Sequence, residues 1–121
     1  ALWHDLSEIE EQSDIIIKGI VSENIGQDYY LLKNPDGKTQ LVTMTCQKPV
    51  KIGEEYLLFL QKPLSDEIYY ATGDHEGIYS VSDKTIIENK DLTFADLNMY
   101  ENDEYSYMFD LYKKVSEKYL K

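Results

Sequence analysis

The sequence predicts a mainly β domain, a small curled antiparallel sheet of five or six strands with flanking α-helices, and three observations carry that expectation. Short runs rich in β-branched and aromatic residues, from "DIIIKGIVSE" to "EIYYAT" and "GIYSVS", are separated by turn residues. No strand-helix-strand alternation is present, which argues against a parallel sheet. After the last of these runs the hydrophobic period lengthens to helical spacing toward the C-terminus.

Each element follows from local chemistry. In "HDLSEIEEQSD", Leu2, Leu6 and Ile9 stand near helical spacing, Asp5 or Ser7 offers an N-cap, and acidic residues lie where the helix dipole favours them. A short helix is expected from about Leu6 to Gln12. "DIIIKGIVSE" then reads as a strand in which Gly19 marks a bulge or a sharp bend. "DYYLLK" and "KTQLVTMTC" flank "NPDG", where Pro35 presets its φ and Gly37 accepts a positive one, as a tight hairpin requires. Alternation in the second arm assigns Val42, Met44 and Cys46 to the buried face.

Pro49 and Gly53 punctuate the next connection. Tyr56 to Leu60 is apolar on both faces, so "EEYLLFLQK" should be a central strand or one covered by a helix. "EIYYAT" and "GIYSVS" bracket Gly73-Asp74-His75-Glu76-Gly77, and "DKTIIE" is expected to form a short last strand. Within "DLTFADLNMY" a turn of helix would direct Phe94 and Leu97 inward. Tyr105, Met108, Phe109, Tyr112, Val115, Tyr119 and Leu120 then form one helical stripe, with an acidic start, a basic end and a beginning at Asn102 or Asp103.

A chain of 121 residues is long enough for one buried core, and no repeat or linker divides it. The expected architecture is a single domain over residues 1–121, an OB-like barrel over about 13–90 with a longer amphipathic helix over about 102–120.

Charge narrows the partners. Twelve basic against 23 acidic residues leave a net charge of -11, a field that repels phosphate backbones and anionic lipid. No run approaches the ~20 apolar residues that span a bilayer, and the N-terminus lacks the basic and apolar regions of a signal peptide. A chain starting Ala1-Leu2-Trp3, without an initiator Met, is expected to be the trimmed product of a longer precursor. Cys46 is the single cysteine, which excludes an intramolecular disulfide and a cysteine-only zinc site.

Together, "SDIIIKGIVSE", "GEEYLLFLQK" and "YYATGDHEGIYSV" resemble a family of small secreted or lipoprotein-borne domains of Gram-positive bacteria. Its members share an acidic-led first strand ending in Gly-x-Val, a Gly-x-x-Tyr-Leu-x-Phe-Leu strand, and a Tyr-rich strand leading to a Gly-bounded turn. The likeness spans Ser13 to Ser82. It implies an OB-like barrel, more distantly similar to the netrin-like domains of tissue metalloprotease inhibitors. It also implies an extracytoplasmic place, secreted or tethered to the membrane through a removed lipoprotein signal. Those inhibitors grip a target's zinc through an N-terminal cysteine; here that end is Ala1, and the mechanism does not carry over.

Four groups of residues are candidates for chemistry. Asp74, His75 and Glu76 could bind a metal or move a proton, but three consecutive side chains rarely converge on one ion, and His4 is the only other histidine. A polar turn is the plainer reading. Cys46, late in a strand beside threonines, fits a small buried hydrophobe better than a nucleophile. The acidic clusters at Glu8, Glu10 and Glu11 and at Glu101, Asp103 and Glu104 lack a calcium loop's glycine and read as solvated helix starts.

The tyrosines are the fourth. Tyr29, Tyr30, Tyr69, Tyr70 and Tyr79, with His75, form the candidate binding surface, although in an adjacent pair such as Tyr69-Tyr70 one ring must turn inward. The expected activity is noncatalytic binding of a protein, peptide or glycan, without a cofactor, and the family resemblance implies that it takes place at the bacterial surface. The alternatives are a small metal-binding or hydrolytic domain using the Asp74 to Glu76 loop, and oligonucleotide binding, which the charge opposes.

Overall fold

A computed structural model describes residues 5–44, 50–62, 68–81 and 102–120; for Asp74, His75 and 102–109 it describes the backbone only. The chain runs α1 (Leu6–Gln12), β1 (Ile15–Gly26), β2 (Tyr29–Lys33), β3 (Thr39–Thr43), β4 (Glu55–Gln61), β5 (Tyr69–Ala71), a 3-10 turn (Asp74–Gly77), β6 (Ile78–Ser80) and α2 (Asn102–Tyr119). Strands pair in the order β1-β2-β3-β5-β4, and β4 returns to β1, so five strands close a barrel while β6 adds to β4. This is an OB-like barrel, mainly β, with a short N-terminal and a longer C-terminal helix. The pairings are antiparallel apart from β3 with β5, a parallel rung of Val42↔Tyr69 and Thr43↔Tyr70.

Local signals place the first elements. Asp5 caps α1 in a capping box: its carboxylate accepts from Glu8 N at 3.2 Å, and the Glu8 side chain accepts from Asp5 N. β1 serves both halves of the barrel, because Ile15 to Ile20 pair with β4 and Ile20 to Gly26 with β2. The changeover sits beside Gly19. A Cβ there would lie 2.6 Å from Leu32 Cγ, so glycine lets the Leu32 side chain pack directly against the β1 backbone. The bulge expected at Gly19 is not there: Gly19 pairs in register with Tyr56, and the register shifts lie later, between Val21 and Glu23 and between Asn24 and Gly26. The "NPDG" hairpin closes through Gly37 N to Asn34 O at 2.9 Å and Asn34 N to Lys38 O at 2.8 Å, with Gly37 at φ 89.

Alternation along β4 builds two apolar layers. Tyr56, Leu58 and Leu60 point into the barrel, where they meet Val21, Leu32, Val42, Met44 and Ile78. Leu57 and Phe59 point outward, and there Leu6 and Ile9 of α1 and Leu111, Tyr112 and Val115 of α2 cover them. Val42 and Met44 are buried as alternation requires. Leu111 adds a position that the sequence stripe omits. The expected strand at "DKTIIE", the inward Phe94 and Leu97, Cys46, His4, Glu101 and the side chains of Asp103, Glu104, Tyr105, Met108 and Phe109 lie outside the described residues.

One ionic contact ties the two helices. Lys118 Nζ sits 2.6 Å from Glu10 Oε2, and the Tyr119 hydroxyl donates to the same oxygen. Partial burial pushes the Glu10 carboxyl up, but the bonds from Lys118 and Tyr119 outweigh it and hold the pKa below the usual glutamate value. Tyr119 is pushed up to about 12 by burial and by its bond to Glu10.

The signs follow from linkage. The depressed Glu10 pKa contributes stability that is present at neutral pH and lost as pH falls through it. The raised Tyr119 pKa contributes stability that is complete below the ordinary value of 10.0 and lost as pH rises toward about 12. Thermal melts between pH 7 and pH 3 should therefore show a smaller acid-induced fall in Tm for Glu10→Gln than for the parent chain. Equal falls would contradict this role for Glu10.

Candidate functional site

Strand alternation divides the two tyrosine pairs. Tyr30 and Tyr69 both pair with buried Val42, and both pack against the barrel's interior cluster. Tyr29 and Tyr70 both pair with Thr43 on the opposite face, and they are 43% and 39% exposed. Directly paired residues share a face, so Tyr29, Thr43, Tyr70 and then Gln61, which pairs with Tyr70, form one outward row across β2, β3, β5 and β4. At about 4.8 Å per strand, the two tyrosine backbones stand roughly 10 Å apart.

The row is anchored at both ends. Met44 N donates to Asp28 O at 2.8 Å, which fixes the start of β2 against the end of β3. Gln61 Nε2 donates to Gln12 O at the end of α1 at 2.9 Å, which orients the amide at the far end. One step along the strands, Leu31 pairs with Leu41 on the same outward face; both are half-buried, and neither belongs to the two apolar clusters. Lys33 and Glu23 flank this face, one charge of each sign. The row is aromatic at its centre and its own four residues carry no charge, on a chain of net charge -11.

The glycine-bounded segment does different work. β5 and β6 lie along the same edge of β4, and the 3-10 turn interrupts them opposite Phe59, whose carbonyl accepts from Thr72 N at 2.8 Å. A Cβ at Gly77 would come within 2.6 Å of Thr72 O and 2.8 Å of Phe59 O, so only glycine lets the chain rejoin β4. The Thr72 hydroxyl meets Ser13 Oγ at 2.7 Å, linking the turn to the end of α1. Glu76 is folded inward at 5% exposure, while the side chains of Asp74 and His75 lie outside the described residues.

Tyr79 must be removed from the candidate surface. It pairs with outward Leu57 on β4, but α2 covers that face, and the ring is fully buried with its edge toward Tyr112. Tyr30 and Tyr69 likewise belong mainly to the interior. Sequence reasoning passed over Leu31, Leu41, Thr43 and Gln61; alternation through the hairpin could have found the leucines, but the link from Thr43 to Tyr70 is a long-range parallel pairing with no local signal.

Fold and site together define a small OB-like β-barrel with an aromatic outer face. Comparison with known proteins adds no relative: no family model matches the chain, and no curated protein and no solved structure matches it. Among the described residues, no group of three or more His, Cys, Asp or Glu side chains is placed to hold a metal, and no helix is long and apolar enough to cross a membrane.

Proposed function

We propose that this chain is a noncatalytic binding domain of the Gram-positive cell surface, meeting its ligand with the outward face of β2, β3 and β5. The observation that carries the reading is the convergence of Tyr29 and Tyr70, far apart in sequence, on one exposed row with Thr43 between them. Tyrosine supplies large contact area with few rotatable bonds, and a compact aromatic centre with a polar rim is the usual make-up of a binding surface. The location rests on the family resemblance. A protein, a peptide or a glycan fits such a face, whereas nucleic acid is opposed by the chain's charge.

Fluorescently labelled protein incubated with isolated Gram-positive cell envelopes tests this reading. The parent chain is expected to bind saturably, and the double variant Tyr29→Ala/Tyr70→Ala to bind at least about tenfold more weakly while keeping its melting temperature, since both side chains are exposed. Binding that survives in the double variant would place the contact elsewhere.

A further inference from the structure

The outward row also carries information about the kind of ligand it suits. We infer that this face takes an uncharged glycan chain laid across the strands, with sugar rings stacked on Tyr29 and Tyr70. The inference rests on the reading of this face as the binding surface.

The backbone points the same way. Thr43 is flanked by Tyr29 on one side and Tyr70 on the other, and Tyr70 by Thr43 and Gln61, so at these positions the strands are paired on both sides. An extended peptide that binds by adding a strand needs an open edge, and the middle of the row offers none. Contact must come from side chains. Two of them are flat rings whose backbones stand roughly 10 Å apart, a separation that separate rings of one short oligosaccharide can bridge. The apolar C–H face of a pyranose stacks on such a ring, as any flat apolar surface does.

The remaining groups fit sugar hydroxyls. Thr43 supplies a hydroxyl and Gln61 an amide, groups that both donate and accept, as sugar hydroxyls do. The bond from Gln61 Nε2 to Gln12 O holds that amide in one orientation before any ligand arrives. The row itself, Tyr29, Thr43, Tyr70 and Gln61, carries no charge. A cationic peptide would find no carboxylate within the row, an anionic polymer would meet a net charge of -11, and a second copy of the chain would bring that same charge.

The test uses the full chain labelled with nitrogen-15, titrated with soluble cello-, chito- and manno-oligosaccharides and, for comparison, a proline-rich peptide. One or more glycans should move the backbone amide signals of Tyr29, Thr43, Tyr70 and Gln61. Tyr29→Ala and Tyr70→Ala should each weaken that binding about tenfold, while Tyr29→Phe and Tyr70→Phe, which keep the ring, should largely retain it. Amide spectra of the free variants check that the barrel is intact. If no glycan moves the row at millimolar concentration, the glycan assignment is overturned. If the peptide moves the row and the glycans do not, the assignment falls and the binding face stands. If glycans bind away from the row, both fall.

Discussion

Replacing Gly77 by alanine is expected to destabilise the domain by about 3 kcal/mol, seen as a fall of at least about 1 M in the urea midpoint. The cause is contact with backbone. The new Cβ would be 2.6 Å from Thr72 O, 2.8 Å from Phe59 O and 3.0 Å from Thr72 N, none of which can swing aside without breaking the bond from Thr72 N to Phe59 O. Gly73→Ala is the informative comparison. Gly73 has φ 62 and its added Cβ would meet only side-chain atoms, Glu76 Oε1 at 2.6 Å and Glu76 Cβ at 3.2 Å, rather than the backbone of a neighbouring strand, so the cost should be nearer about 1–2 kcal/mol. A Gly77→Ala chain as stable as Gly73→Ala would show that β6 can leave β4 without penalty.

Phe59→Ala should cost about 3–5 kcal/mol and act mainly on the outer layer. The Phe59 ring is fully buried and meets Tyr79 and Tyr119 edge-on, with centroids 5.8 and 5.4 Å apart. Its loss leaves a cavity between β4 and α2. Leu58→Ala removes the neighbour that points into the barrel instead. Tryptic cleavage after the exposed Lys113 and Lys114 of α2 should accelerate more in Phe59→Ala than in Leu58→Ala, relative to cleavage at Lys33 and Lys38 in the hairpin. The reverse order would mean that β4 does not divide the two layers.

Much of this fold was legible because its signals are local. Asp5, one of two N-cap candidates, does cap the first helix, Pro35 and Gly37 announce the hairpin, and the apolar run from Tyr56 to Leu60 announces a strand buried on both faces. Less visible was whatever depends on distant partners. Gly19 proved to be a close approach to Leu32, thirteen positions away, and the parallel rung joining Thr43 to Tyr70 has no counterpart in local pattern. The candidate surface divides along the same line. Alternation correctly separates the rings within Tyr29-Tyr30 and Tyr69-Tyr70, but Tyr79 needed knowledge of where α2 docks. The glycines around Asp74 to Glu76 first suggest a site, and sterics account for them as the means by which β5 and β6 share one edge of β4.

The measurement that tests the account most directly is the order in which tyrosines react with a ring-nitrating reagent under native conditions, read residue by residue by peptide mass spectrometry. Among Tyr29, Tyr30, Tyr69, Tyr70 and Tyr79, Tyr29 and Tyr70 should be modified first, well ahead of their neighbours Tyr30 and Tyr69, and Tyr79 should stay protected until the domain unfolds. Equal rates within each adjacent pair, or early modification of Tyr79, would contradict the outward row on which the proposed binding face depends.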